Sequence, residues 1–110
     1  MFHKACDQAE LVEGSHLVVA IERKRYLVLW PMGDRPRAFR ALCPHQEASL
    51  AEAPFDGRLF TCPHHGWKFD GRTGACVTGQ VCDPVKELPL EIAEGEIRID
   101  VPAKKPRPVG

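Results

Sequence analysis

No apolar run in this chain approaches the roughly 18 residues needed to cross a membrane; the stretch Leu17 to Ile21 has five. Neither sign of charge is in excess, with 15 Lys+Arg against 15 Asp+Glu. That balance excludes nucleic acid as the main partner, because binding a phosphate backbone needs a basic surplus. The charges form no block either: residues 1–42 carry 7 positive and 5 negative, residues 43–82 carry 3 and 4, and residues 83–110 carry 5 and 6. The start, Met1-Phe2-His3-Lys4, lacks the basic and apolar regions of a secretory signal, and twin arginines are missing there. The chain is therefore expected in the reducing cytoplasm, where cysteines serve more often as metal ligands or core residues than as disulfides. Five cysteines also fit a disulfide framework poorly. No nucleotide or flavin fingerprint is present, so the chain cannot take a hydride itself. With 110 residues it is too short for a multidomain oxygenase or dehydrogenase, and it is expected to be one domain acting as a monomer.

No long segment has helical period, and no internal repeat is visible. What is present is a series of short strands broken by turns. Asp7 and Glu10 have capping-box spacing, which predicts one or two helical turns near Asp7 to Leu11. The run His16 to Ile21, the charged stretch Glu22 to Lys24 and the run Tyr26 to Trp30 read as a hairpin. Ala38 to Leu42 reads as a third strand. Near the end, Leu88 to Ile92 and Ile97 to Val101 alternate at period two, with Glu94-Gly95 turning between them. Such a pattern predicts an all-β sandwich or barrel. Pro102 to Gly110 carries three Pro, two Lys and one Arg and reads as a tail without the apolar content to pack.

The chemistry is concentrated between residues 43 and 74. Cys43-Pro44-His45 is a Cys-x-His box and Cys62-Pro63-His64-His65 holds a Cys-x-x-His box, with sixteen residues between His45 and Cys62. Two Pro-shaped loops thus supply two soft thiolates and two imidazoles, a donor set suited to zinc or to an iron–sulfur centre. A zinc finger commonly takes two Cys from one turn and two His from another. Here each turn gives one of each. That mixed supply is what a [2Fe–2S] cluster needs when two Cys hold one iron and two His the other.

The two boxes, followed by Gly66-Trp67-Lys68-Phe69-Asp70 and Gly71-Arg72-Thr73-Gly74, resemble the signature of the Rieske family. The resemblance covers nearly the whole chain and implies an antiparallel β-sandwich base, residues 1–40 and 77–103, carrying an inserted cluster-binding lobe, residues 41–76. Residues 104–110 would be a flexible tail. It implies that Cys43 and Cys62 bind the buried iron of one [2Fe–2S] cluster, and that His45 and His65 bind the outer iron. The family pattern of Cys-x-x-His followed by Gly selects His65 over His64. Gln46, His64, Trp67 and Phe69 would then surround the ligands, Trp67 and Phe69 walling the cluster loop from water. His3 and His16 read as solvated or strand-edge histidines, and Cys6, Cys76 and Cys82 as core thiols, with a disulfide between Cys76 and Cys82 as the alternative for those two. Members of the family with a disulfide over the cluster have additional cysteines where this chain has Ala48 and His64. The high-potential members place hydroxyl donors where this chain has Trp67 and Phe69. Both departures imply a potential at the low end of the family range, about −150 mV.

By that resemblance the chain is a soluble electron-carrying ferredoxin rather than an enzyme. It would be reduced by a flavin-containing, NADH-dependent reductase and oxidised by a terminal oxygenase of aromatic hydrocarbon catabolism. Gln46, Glu47 and Trp67 look closer to ferredoxins of toluene monooxygenase systems, whose oxygenase is a diiron protein. Gly66 and the turn Asp70 to Gly74 resemble the dioxygenase group. The expectation set here is the diiron monooxygenase ahead of the ring-hydroxylating dioxygenase. The competing readings are a zinc-bound structural module and a Rieske-like small subunit of a nitrite reductase.

Overall fold

A computed structural model describes residues 1–43, 49–64, 66–77 and 83–101. Nine strands follow in order: β1 Phe2–Asp7, β2 His16–Ile21, β3 Lys24–Leu29, β4 Arg37–Arg40, β5 Leu59–Thr61, β6 Lys68–Asp70, β7 Glu87–Leu88, β8 Leu90–Ala93 and β9 Glu96–Asp100. Among the described residues the only helical element is the 3-10 turn Gln8–Glu10. The Asp7–Glu10 capping box closes it, with the Asp7 N–H donating to Glu10 Oε2 at 2.8 Å. None of these elements is a helix long and apolar enough to cross a membrane. The fold is all-β, as the strand periodicity predicts.

The strands form three antiparallel sheets, ordered β1-β9-β8, β2-β3-β4-β7 and β5-β6. The four-stranded sheet is the middle layer, because its inner strands bury both faces. On β3, Tyr26 and Val28 join one buried cluster with Ala38, Ile97 and Ile99, while Leu27 and Leu29 join another with Phe39, Phe60 and Phe69. Successive strand residues point to opposite faces, so β3 reads as a continuous apolar run, the pattern of a strand covered on both sides.

Strand limits differ from the sequence reading at several places: β3 runs Lys24–Leu29 rather than Tyr26 to Trp30, and β9 runs Glu96–Asp100 rather than Ile97 to Val101. Two further differences have a local reason. The run Leu88 to Ile92 is split at Pro89, which has no N–H to give to a ladder. Leu88 pairs with Ala38 in the middle sheet, and Leu90 pairs with Ile99 in the outer one. The third strand ends at Arg40, and Leu42 forms an isolated antiparallel bridge with Ser49. The N-terminal strand β1 lacks clean alternation and was not legible; it is held by pairing with β9 from Phe2↔Asp100 to Asp7↔Glu96, with a register shift between Lys4 and Cys6.

The β2–β3 hairpin turns on Glu22 and Arg23 between the paired residues Ile21 and Lys24. Both turn residues have positive φ, +51° and +70°, the type I′ geometry that usually takes Asn-Gly. Holding non-glycine residues there costs on the order of 1 kcal/mol each. Replacing the pair by Asn-Gly is expected to stabilise the protein by about 1 kcal/mol. A higher urea midpoint at unchanged slope would show it; an unchanged midpoint would mean that the turn stores no strain.

Candidate metal centre

Cys43 is positioned by strand period. Phe39, Ala41 and Cys43 occupy alternate positions and all lie in the buried cluster that faces β5 and β6. The segment is pinned on both sides: the Ala41 N–H donates to Arg25 O at 3.1 Å and the Leu50 N–H donates to Ala41 O at 2.9 Å. Cys43 is thereby fully buried.

Cys62 is positioned by a hairpin. β5 pairs with β6 through Leu59↔Asp70, Phe60↔Phe69 and Thr61↔Lys68. The Cys62 N–H donates to Trp67 O at 2.7 Å, and the Gly66 N–H returns to Cys62 O at 2.9 Å. Gly66 has φ +70°, which closes this short turn at little steric cost because no Cβ is present. The hairpin is anchored from below by aromatic contacts. Phe60 stacks on Phe69 with ring centres 5.4 Å apart, and Phe39 tilts against Phe60 at 5.5 Å. At the start of β5, Asp56 Oδ1 accepts from the N–H groups of Arg58 and Leu59 at 2.8 and 2.7 Å. These donors hold the Asp56 carboxyl below the usual carboxylate range.

Cys43 and Cys62 therefore lie in one buried cluster although eighteen residues separate them in sequence. Neither is part of a disulfide. No polar or charged side chain is buried among the described residues, so the enclosed part of the site offers sulfur and no hard oxygen donor. That suits an iron–sulfur cluster or zinc and does not suit magnesium or calcium. Trp67 packs against the same cluster while partly exposed, Phe69 is fully buried, and His64 is exposed on the turn. His45, Gln46 and His65 lie outside the described residues. No group of three or more potential metal donors occurs among the described ones.

One expectation is corrected. Cys76 is disulfide-bonded rather than a core thiol. It sits on the rim of the buried cluster, partly exposed and bridged to Phe69, instead of inside it. Cys82 lies outside the described residues. Cys6, by contrast, is the buried small thiol the sequence suggests, its pKa pushed up by burial. The aromatic support of the site, Phe39 and Phe60, went unnoticed in the sequence. Its signal is the alternation Arg58-Leu59-Phe60-Thr61-Cys62 leading into the second box.

Comparison with known proteins bears directly on these residues. The model of the family described as Rieske [2Fe-2S] domain matches residues 1–89. The ferredoxin component of the naphthalene 1,2-dioxygenase system of Pseudomonas putida is 30% identical over 93 residues, covering 84% of this chain and 88% of that protein. The Sphingomonas yanoikuyae B1 ferredoxin superposes with a TM-score of 0.77 at 29% identity, covering 93% of this chain and all of that one. A chain from a complex of reduced oxygenase and oxidized ferredoxin in carbazole 1,9a-dioxygenase superposes with a TM-score of 0.76 at 28% identity, covering 89% and 91%.

Proposed function

The chain belongs to the Rieske [2Fe–2S] domain family, and from that premise we propose that it is the ferredoxin of an aromatic-ring oxygenase system, passing single electrons to a terminal oxygenase. The observation that carries this reading is the burial of Cys43 and Cys62 in one apolar cluster, each presented by its own chain segment. Cys43 and Cys62 would hold one iron of the cluster and His45 and His65 the other. When bound, the cluster accepts and releases one electron at a time.

The chain's own residues protect and orient that exchange. Phe39, Phe60, Phe69 and Leu50 exclude water behind the thiols. The hydrogen bonds from Cys62 N–H to Trp67 O and from Gly66 N–H to Cys62 O tie Cys62 to the residues that follow the second box. Neither Trp67 nor Phe69 offers a hydroxyl to a sulfur, which supports a low potential. In this reading residues 41–76 are the cluster-binding lobe on a base of residues 1–40 and 77–103.

The electron would come from a flavin-containing, NADH-dependent reductase, since a hydride must be split into single electrons before a one-electron carrier can take them. Two of the named relatives belong to dioxygenase systems, those of naphthalene and carbazole, which favours a ring-hydroxylating dioxygenase as acceptor. Trp67, against the buried cluster, favours the second reading, a diiron monooxygenase. Turnover supported with each oxygenase class separates the two, and failure to support either overturns the ferredoxin reading.

The register of the second box has its own check. His64→Ala is expected to leave a red-brown protein with an unchanged paramagnetic resonance signal in the reduced state. His65→Ala is expected to lose both. The reverse pattern assigns the ligand to His64.

A further inference from the structure

Charge that is dispersed along the sequence is gathered by the fold. Arg23, Lys24 and Arg25 follow one another on the β2–β3 hairpin, and Arg40 lies across the ladder opposite Tyr26. These four cations and Ser49 line one cleft of about 310 Å³. None of the four takes part in an ion pair among the described residues. Lys4, by contrast, is matched by Asp7 and Glu96, Arg37 by Asp34 and Glu87, and Arg98 by Glu94 and Glu96. A second cleft of about 240 Å³ shares Arg25 and Ser49, passes Glu52, and ends at Pro63 and His64. The groove thus runs from the hairpin tip to the turn after Cys62, and it also borders Ala41 and Leu42, which lead into Cys43.

We propose that this groove is the docking surface for an acidic protein face, a rim of carboxylates around the electron port of the redox partner. The proposal rests on the electron-transfer reading given above. Two observations support a protein face over one small anion. Arg23, Lys24 and Arg25 are exposed along a hairpin instead of converging on an enclosed point, and the groove extends past them to the second box. The carboxylates around the far end of β1 are largely balanced, Asp7 and Glu96 by Lys4, and Glu94 and Glu96 by Arg98. A chain of zero net charge thus still carries a local positive field at the groove. An approaching acidic partner is turned toward the groove even though the overall monopole offers it nothing. The strained Glu22-Arg23 turn keeps the cations at the tip, where an Asn-Gly turn would remove one.

The test uses two protein acceptors of opposite surface charge: plastocyanin, which is acidic, and cytochrome c, which is basic. Each takes one electron from the reduced protein. At low ionic strength the double variant Lys24→Glu, Arg25→Glu is expected to reduce plastocyanin about 10-fold or more slowly than the wild type and cytochrome c faster. Both differences should collapse in about 0.5 M salt, where screening is complete within a few ångströms. A binding measurement needs no electron transfer: titrating the oxidised protein with reduced plastocyanin should shift the amide resonances of residues 23–25 and 40. Rates that ignore the charge reversal, or shifts confined to another face, overturn the proposal. So does loss of plastocyanin binding in inorganic phosphate but not in chloride of equal ionic strength, which makes the cleft a small-anion site. Failure to support any oxygenase would sink the functional reading while leaving these measurements interpretable.

Discussion

Cys62→Ser is expected to give a colourless protein, with no visible absorption and no reduced-state paramagnetic signal, and Cys43→Ser the same. A hydroxyl is a hard, weakly acidic donor and a poor substitute for thiolate on iron. Both positions are fully buried, so water cannot easily supply a replacement ligand. The exchange is nearly isosteric, but an unpartnered buried hydroxyl costs about 1–3 kcal/mol, so far-ultraviolet circular dichroism must establish that the fold persists. Cys6→Ser provides the control. Cys6 is buried too, yet it lies in the other cluster, with Leu11, Tyr26 and Ile97. Its variant should bear the same polar penalty and stay coloured. Retention of full colour in either Cys43→Ser or Cys62→Ser removes that cysteine from the ligand set.

Gly74→Ala is expected to produce the largest loss of stability of any alanine substitution among the described glycines. A Cβ built there would stand 2.4 Å from Val85 O and 2.9 Å from Phe39 Cε1, and the residue has φ +78°. Residue 85 is tied close to residue 74, because the Val85 N–H donates to Gly74 O at 2.9 Å, and Phe39 is buried between layers. Relieving the clash would have to break that hydrogen bond or displace a core ring. Strain in the left-handed region, about 1–2 kcal/mol, adds to an overpacking cost of about 1–3 kcal/mol. The sum is a large part of the roughly 5–15 kcal/mol that holds a domain together. Gly33→Ala isolates the first contribution, since Gly33 has φ +75° with nothing within 4 Å. Urea denaturation should place Gly74→Ala well below Gly33→Ala, and equal midpoints would show that the contact with Val85 relaxes freely.

The sequence revealed most where one local rule decides. The Asp7–Glu10 cap and the Glu94-Gly95 turn follow from spacing and turn chemistry over a few residues, and each is found; the hairpin after Ile21 is found too, but its turn is Glu22-Arg23, with Lys24 already in the strand. The two Cys-x-His and Cys-x-x-His boxes were legible because soft donors beside proline have few other uses. Features that depend on distant partners stayed hidden. β1 exists because β9 is there to receive it. Pro89 divides a run that reads as one strand, since its neighbours Leu88 and Leu90 belong to different sheets. The position of Cys76 on the rim of the core depends on how the chain returns past Phe69, so the choice between a core thiol and a disulfide was not decided by composition. The basic groove was equally invisible: charge counts along a chain say nothing of the cross-strand register that sets Arg40 beside the hairpin.

The doubly covered middle sheet makes residue parity a genetic readout. Along β3 and β4 the odd positions 27, 29 and 39, continued by 41 and 43, face the sulfur site, and the even positions 26, 28 and 38 face the opposite sheet. Truncating an even residue such as Val28 should lower the melting point of a protein that still holds its colour. Truncating an odd neighbour such as Leu27 should loosen the wall behind the thiols and bleach the protein sooner than it unfolds. Two failures that ordinarily map to separate regions of a gene are here interleaved, codon by codon, along a single strand.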